Sequence, residues 1–203
     1  MKSVKKLLNA AVFSSVVFAS AFSQAATVAV TPSASTVNVG DNVQVTLVGR
    51  DWTDGQDGTY GGGVSLAWNA SVLQLVSYDT SVFGGDQFLA TAGITTSVNN
   101  TTGTLSNLAV NSLFSGVYTP NFDIAVLNFT AVGFGQSDLI ASLGKFNSGF
   151  DNIWTDAADG SAVLVVNPDF VKGEISAVPL PAAVYLLGTA LLGLAGFTRR
   201  KIA

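Results

Sequence analysis

Apolar and polar residues alternate one for one along much of the middle of this chain. Val43, Val45 and Leu47 alternate with Gln44 and Thr46, and Val64, Leu66 and Trp68 with Ser65 and Ala67. Leu127, Phe129 and Ala131 alternate with Asn128 and Thr130. A period of two puts one set of side chains on one face of an extended chain, so each stretch predicts a strand with one face in a core. Thr36 to Val39 predicts a further strand, closed by a tight turn at Gly40 and Asp41, and Ala162 to Val166 is a short apolar run. Gly, Asn, Asp, Ser and Thr punctuate these segments every ten or so positions; Gly tolerates positive φ, and the short polar side chains bond their own backbone. The run SVNNTTGTLSN from Ser97 predicts a polar hairpin, because the apolar alternation resumes around it. No stretch of the middle carries a 3.6-residue stripe. The pattern predicts an all-β antiparallel sandwich.

The ends follow different rules. Lys2, Lys5 and Lys6 precede an apolar run from Leu7 to Phe22, and Ser23-Gln24-Ala25 closes it with small residues. That order predicts a secretory signal peptide over residues 1–25. From Leu180 to Phe197 no residue is charged, and eighteen residues at helical rise span about 27 Å, close to a hydrocarbon core. Arg199, Arg200 and Lys201 follow at once, and the positive-inside tendency keeps them cytoplasmic. The expectation is a C-terminal transmembrane helix at about 180–197, with the middle on the far side of the membrane.

Val178-Pro179-Leu180-Pro181-Ala182, an apolar Leu/Gly-rich span and Arg199-Arg200-Lys201 together resemble the C-terminal sorting signal of PEP-CTERM proteins, in its VPLPA variant. The commoner motif has Glu where this chain has Leu180. The resemblance implies an exosortase-type transpeptidase as partner, and cleavage near 178–181. It further implies delivery from an inner-membrane precursor to the surface or extracellular matrix of a Gram-negative bacterium. A second resemblance runs through the middle. Ser35-Thr36-Val37-Asn38-Val39-Gly40-Asp41, the strand from Val43 to Leu47, and Gly62-Gly63-Val64-Ser65-Leu66-Ala67-Trp68-Asn69-Ala70-Ser71-Val72-Leu73 are similar to the opening of cohesin-like domains. Phe122 to Phe129 looks like a later strand of the same family. Trp68-Asn69-Ala70 stands where that family often has Tyr-Asp-Pro. This resemblance implies a jelly-roll sandwich over 26–177, related to carbohydrate-binding modules.

Composition narrows the chemistry. Six of nine basic residues lie in the two end segments, so the middle keeps Arg50, Lys145 and Lys172 against all thirteen acids, a net charge of −10. Such a surface suits divalent cations and not the phosphates that dominate nucleic-acid contacts. The chain has no Cys and no His, which excludes disulfides, thiolate nucleophiles, Ser–His–Asp triads and the usual zinc ligands. Paired carboxylates remain as a catalytic route, but the acids cluster beside Gly in turns and only Glu174 is a Glu, so no enzyme is expected.

Two segments look alike: WTDGQDG from Trp52 and WTDAADG from Trp154. With neighbouring residues they supply Asp51, Asp54 and Asp57, then Asp151, Asp156 and Asp159. Calcium takes six to eight oxygens, and if both segments shared one pole of the sandwich they would offer six carboxylates. Asp-Gly turns bonding their own backbone are the alternative. Trp52 and Trp154 sit among polar residues and are expected in exposed loops, where with Tyr60 they could stack on sugar rings of a polysaccharide. No other cofactor is expected. The leading reading is an exported, structural or adhesive surface protein associated with matrix or biofilm; the alternative is a carbohydrate-binding module.

Overall fold

The computed structural model describes residues 26–52, 59–83, 95–111, 117, 119–145, 154–155, 165–179, 186–187 and 189–192. Its strands are β1 (Thr27–Pro32), β2 (Thr36–Asn38), β3 (Asn42–Arg50), β4 (Gly61–Ala67), β5 (Leu73–Asp79), β6 (Ser97–Asn99), β7 (Thr104–Asn111), β8 (Phe122–Ala131), β9 (Gly135–Leu143), β10 (Trp154–Thr155), β11 (Val165–Val166), β12 (Asp169–Val171) and β13 (Gly173–Val178). One 3-10 turn, Ser81–Phe83, follows β5. The strands form two sheets. The first runs β12-β1-β3-β8-β5; the second runs β11-β10-β4-β9-β13-β2, with β7 also on β4 and β6 on β7.

The alternation read along the chain becomes the core between these sheets. Val43, Val45 and Leu47 of β3 lie beside Leu127 and Phe129 of the neighbouring β8 and share one core with the second sheet's Val64, Leu66 and Leu139, all buried. Gln44 and Asn42 point to water. The Ser97 hairpin forms as expected, β6 pairing antiparallel with β7. Two pairings depart from an antiparallel plan: β1 runs parallel to β12 and β2 parallel to β13. Each pairs segments far apart in sequence, so no local turn pattern announces it.

Three irregularities break the alternation. Ile124 is the extra residue of β8 opposite Leu47 and Val48, so Ile124 and Ala125 are both buried. Val76 is the extra residue of β5 and is left exposed. Asn107 is extra in β7, with φ 57, a left-handed value that Asn tolerates better than most residues. Its N–H donates to Ser65 Oγ at 3.2 Å, and its side-chain oxygen accepts from Lys145 N at 3.2 Å.

The sandwich has two poles. At one, β3 ends at Arg50, β8 begins at Phe122, and Ala26 accepts from Asp169 N. At the other, four segments meet. The β2–β3 turn (39–41) is tied to β8 by Gly40 N–H to Ala131 O and Ala131 N–H to Asp41 O, 2.8 and 2.9 Å. The β4–β5 turn (69–72) accepts Val132 N–H at Val72 O, 2.8 Å. The β8–β9 turn (132–134) and the end of β13 complete the set, since Ala177 lies opposite Gly135 and Val178 O accepts from Val39 N. The described chain therefore enters at one pole and leaves β13 at the other. Residues 186–187 and 189–192 are helical, with Leu186, Leu187, Leu191 and Leu192 exposed; among the described residues no helix is long and apolar enough to cross a membrane.

Candidate functional site

The leading tryptophans of the look-alike segments come together. Beyond β3, Asp51 takes φ 60 and Trp52 N–H donates to Pro120 O at 3.1 Å, which turns Trp52 into the gap between the sheets. Trp154 reaches the same place from β10, paired to Gly62 of β4. Their ring centroids stand 5.3 Å apart at 52°, with Phe122 5.5 Å from Trp52 and Phe83 5.7 Å from Phe122. Trp52 and Trp154 thus share one pole.

Their tryptophans are not surface residues. Trp52 is 3% exposed and Trp154 0%, which corrects the expectation of exposed stacking platforms. The physical reason is twofold. Polar neighbours along an extended chain point away from the residue between them, so they do not argue exposure. Each indole also finds an acceptor inside: Trp52 Nε1 donates to Thr27 O at 3.3 Å and Trp154 Nε1 to Gly63 O at 3.2 Å. With the donor satisfied, a large ring contributes most when buried, and the four rings close this end of the core. Tyr60 is half-buried. Asp51 is also half-buried, its N–H facing Asn121 Oδ1 at 3.4 Å. Asp54, Asp57, Asp151, Asp156 and Asp159 lie outside the described residues. Among the described residues no three metal-capable side chains gather.

The open surface lies elsewhere, on the outer face of the second sheet. Ser65 and Ala67 of β4 stand opposite Ser142 and Ile140 of β9. Next to them Asp138 stands opposite Glu174 of β13, and Gln136 opposite Ser176. Small side chains keep this face flat, and Ile140 rises from it 52% exposed. A groove of about 380 Å³ runs beside it, lined by Ala67, Trp68, Asn69, Gln136, Asp138 and Ile140. Like charges directly across two strands repel, and Lys172 relieves the pair by reaching Asp138 Oδ2 at 3.0 Å. Asp138 Oδ1 has no hydrogen-bond partner. Sequence reasoning passed over this face, although one signal was present. Leu139-Ile140-Ala141 is an unbroken apolar triplet, and in a strand with one buried face its middle residue must point outward.

Of the sorting-signal residues, Val178 is the last of β13 and Pro179 is exposed just beyond it. Leu180, Pro181, Ala182, Arg199, Arg200 and Lys201 lie outside the described residues.

An all-β sandwich of two sheets is an architecture like that of cohesin domains. The chain is similar to the seventh ScaB type I cohesin from Pseudobacteroides cellulosolvens, at 14% identity and TM-score 0.54, over 77% of this chain and 94% of that one. It is likewise similar to the cohesin module of a family 33 glycoside hydrolase from Clostridium perfringens, at 13% identity and TM-score 0.54, over 77% and 98%. The sixth cohesin of scaffoldin B from Acetivibrio cellulolyticus, solved in complex with a dockerin, matches at 15% identity and TM-score 0.53, over 76% and 99%. No family model and no curated protein sequence matches the chain.

Proposed function

We propose that this chain is a non-catalytic, exported surface or extracellular-matrix protein whose cohesin-type sandwich serves as a protein-docking module. The observation that carries the reading is the fold, which spans nearly the full length of cohesins, one of them solved holding a dockerin. The outer face of β9, β4 and β7 is the docking surface. A flat field of Ser65, Ala67, Ser106 and Ser142 with one protruding Ile140 beside a groove suits an apolar anchor ringed by polar contacts. The outer face of the first sheet contrasts with it: Asn42, Gln44, Asn128 and Thr130 fill it, and Thr130 Oγ1 spends its hydrogen on Asn42 Oδ1 at 2.6 Å.

The end segments set the place of work. Residues 1–25 direct export. Residues 178–203 form the sorting signal, with the helix over about 180–197 holding the precursor in the inner membrane until an exosortase-type enzyme acts. Leu186, Leu187, Leu191 and Leu192, exposed in the helical residues 186–187 and 189–192, support a lipid environment for that segment. Polysaccharide binding loses its main support once Trp52 and Trp154 lie in the core.

A photo-crosslinking residue at Ile140, compared with one at Gln44 on the opposite sheet, tests the docking face in cells. Protein adducts from position 140 and none from 44 are expected. Adducts from both positions alike, or from neither, overturn it.

A further inference from the structure

We infer that in the membrane-held precursor the pole carrying Phe134 lies against the membrane, with Phe134 and Val132 seated in the lipid interface beside the C-terminal helix. The inference rests on the membrane-anchor reading above. Phe134 is 75% exposed, the most open large apolar side chain of the sandwich among the described residues, and Val132 two positions before it is also exposed. The turn that carries them is not loose. Val132 N–H donates to Val72 O, and a Cβ at Gly133 would fall on Ser71 O, so the backbone is clamped while the Phe134 ring points out.

The register fixes what lies next to this ring. Ala177 stands opposite Gly135, so Val178, itself exposed, leaves the sheet level with Phe134. The expected apolar helix begins at Leu180, three residues past Ala177, and three extended residues reach about 10 Å at most. A helix inserted from that point brings the bilayer surface to this pole and to no other part of the sandwich. The segments at this pole, 38–41, 69–72, 100–103, 132–135 and 178–179, contain one charge, Asp41, and no cation. The contact is therefore apolar and not electrostatic, which suits uncharged lipid better than anionic lipid. Two side chains make a weak contact alone, but the adjoining helix keeps them at high effective concentration, so a weak contact suffices to hold the orientation. The opposite pole, with Trp52 and Trp154, then points away from the membrane, and the β9–β4 docking face rises along the side from the groove at Asn69 and Gln136.

The absence of native cysteine allows one label per chain. The full chain, with Phe134→Cys or Thr119→Cys at the opposite pole, is labelled with an environment-sensitive fluorophore and reconstituted into phosphatidylcholine vesicles containing brominated lipid. Loss of emission at 134 with none at 119, unchanged by high salt, is expected in chains that float with the vesicles. Floating chains unquenched at both positions overturn the inference and leave the anchor intact. A blue-shifted but unquenched label at 134 overturns it in favour of a protein cover, a second copy included. Chains that fail to float overturn the anchor reading and this inference together.

Discussion

Gly62 shows how tightly single positions constrain this core. A Cβ there would fall within the Trp154 indole, because β10 pairs antiparallel with β4 and Trp154, directly opposite Gly62, lays its ring on the Gly62 backbone. Gly62→Ala should cost about 1–3 kcal/mol of stability through overpacking, read as a lower denaturant midpoint with unchanged slope. Side-chain amides settle local backbone in the same economical way. Asn69, Asn99, Asn100 and Asn128, each followed by the x-Ser/Thr of a glycosylation sequon, are all in use: Asn69 Oδ1 takes Ser71 N–H, Asn99 Oδ1 takes Thr101 N–H, and Asn128 Nδ2 reaches Ser77 Oγ. Asp41 accepts from Asn38 N–H, then from the Asn38 side chain, each at 2.9 Å, and its carboxyl is held below the usual aspartate range. Asp79 is lowered likewise by Ser81. A folded pKa below the unfolded one stabilises above the unfolded value and is lost as pH falls through the folded value. Stability from these turns should hold from neutrality to roughly pH 4 and fall below it. Asp41→Asn should flatten part of that acid limb in a series of melts against pH.

Among the elements, β5 has the problem of an open edge. Its bulge at Val76 already interrupts pairing, and Asn100, from the turn after β6, covers what remains: Nδ2 donates to Leu75 O and Oδ1 accepts Leu75 N–H, both at 2.9 Å. One amide does here what a neighbouring strand would do. Asn100→Ala should cost about 1–3 kcal/mol by stranding two partly buried backbone groups. It should also raise light scattering, because an uncovered edge templates association. The strands themselves were legible wherever period-two alternation was clean, as in β3, β4 and the hairpin of β6 and β7. The bulges were not, since an inserted residue is defined by its partner strand and leaves no periodic trace of its own.

For the whole molecule, entry and exit at opposite poles decide how the parts face one another. Truncation after Pro179 should leave every described strand intact and release the sandwich as soluble secreted protein. Fractionation of cells expressing that form checks it, and unchanged membrane association would sink the sorting reading. Asp51, the one described acid beside these tryptophans, lies at the pole far from that exit. A melt with and without chelator tests calcium there; a raised midpoint with calcium is the expected sign of a shared site.

Much of this was present in the order of letters alone: an all-β sandwich, a hairpin at Ser97, a turn at Gly40-Asp41, and no chemistry that needs His or Cys. These follow from periodicity, charge and composition, which are local. The tertiary structure alone decided which way Trp52 and Trp154 face, which sheet offers an open surface, and that Phe134 stands beside Val178. Each of these depends on the register between segments distant in the chain. Alternation says that a residue has two sides to choose from; only the packing of one sheet on the other says which side is inside.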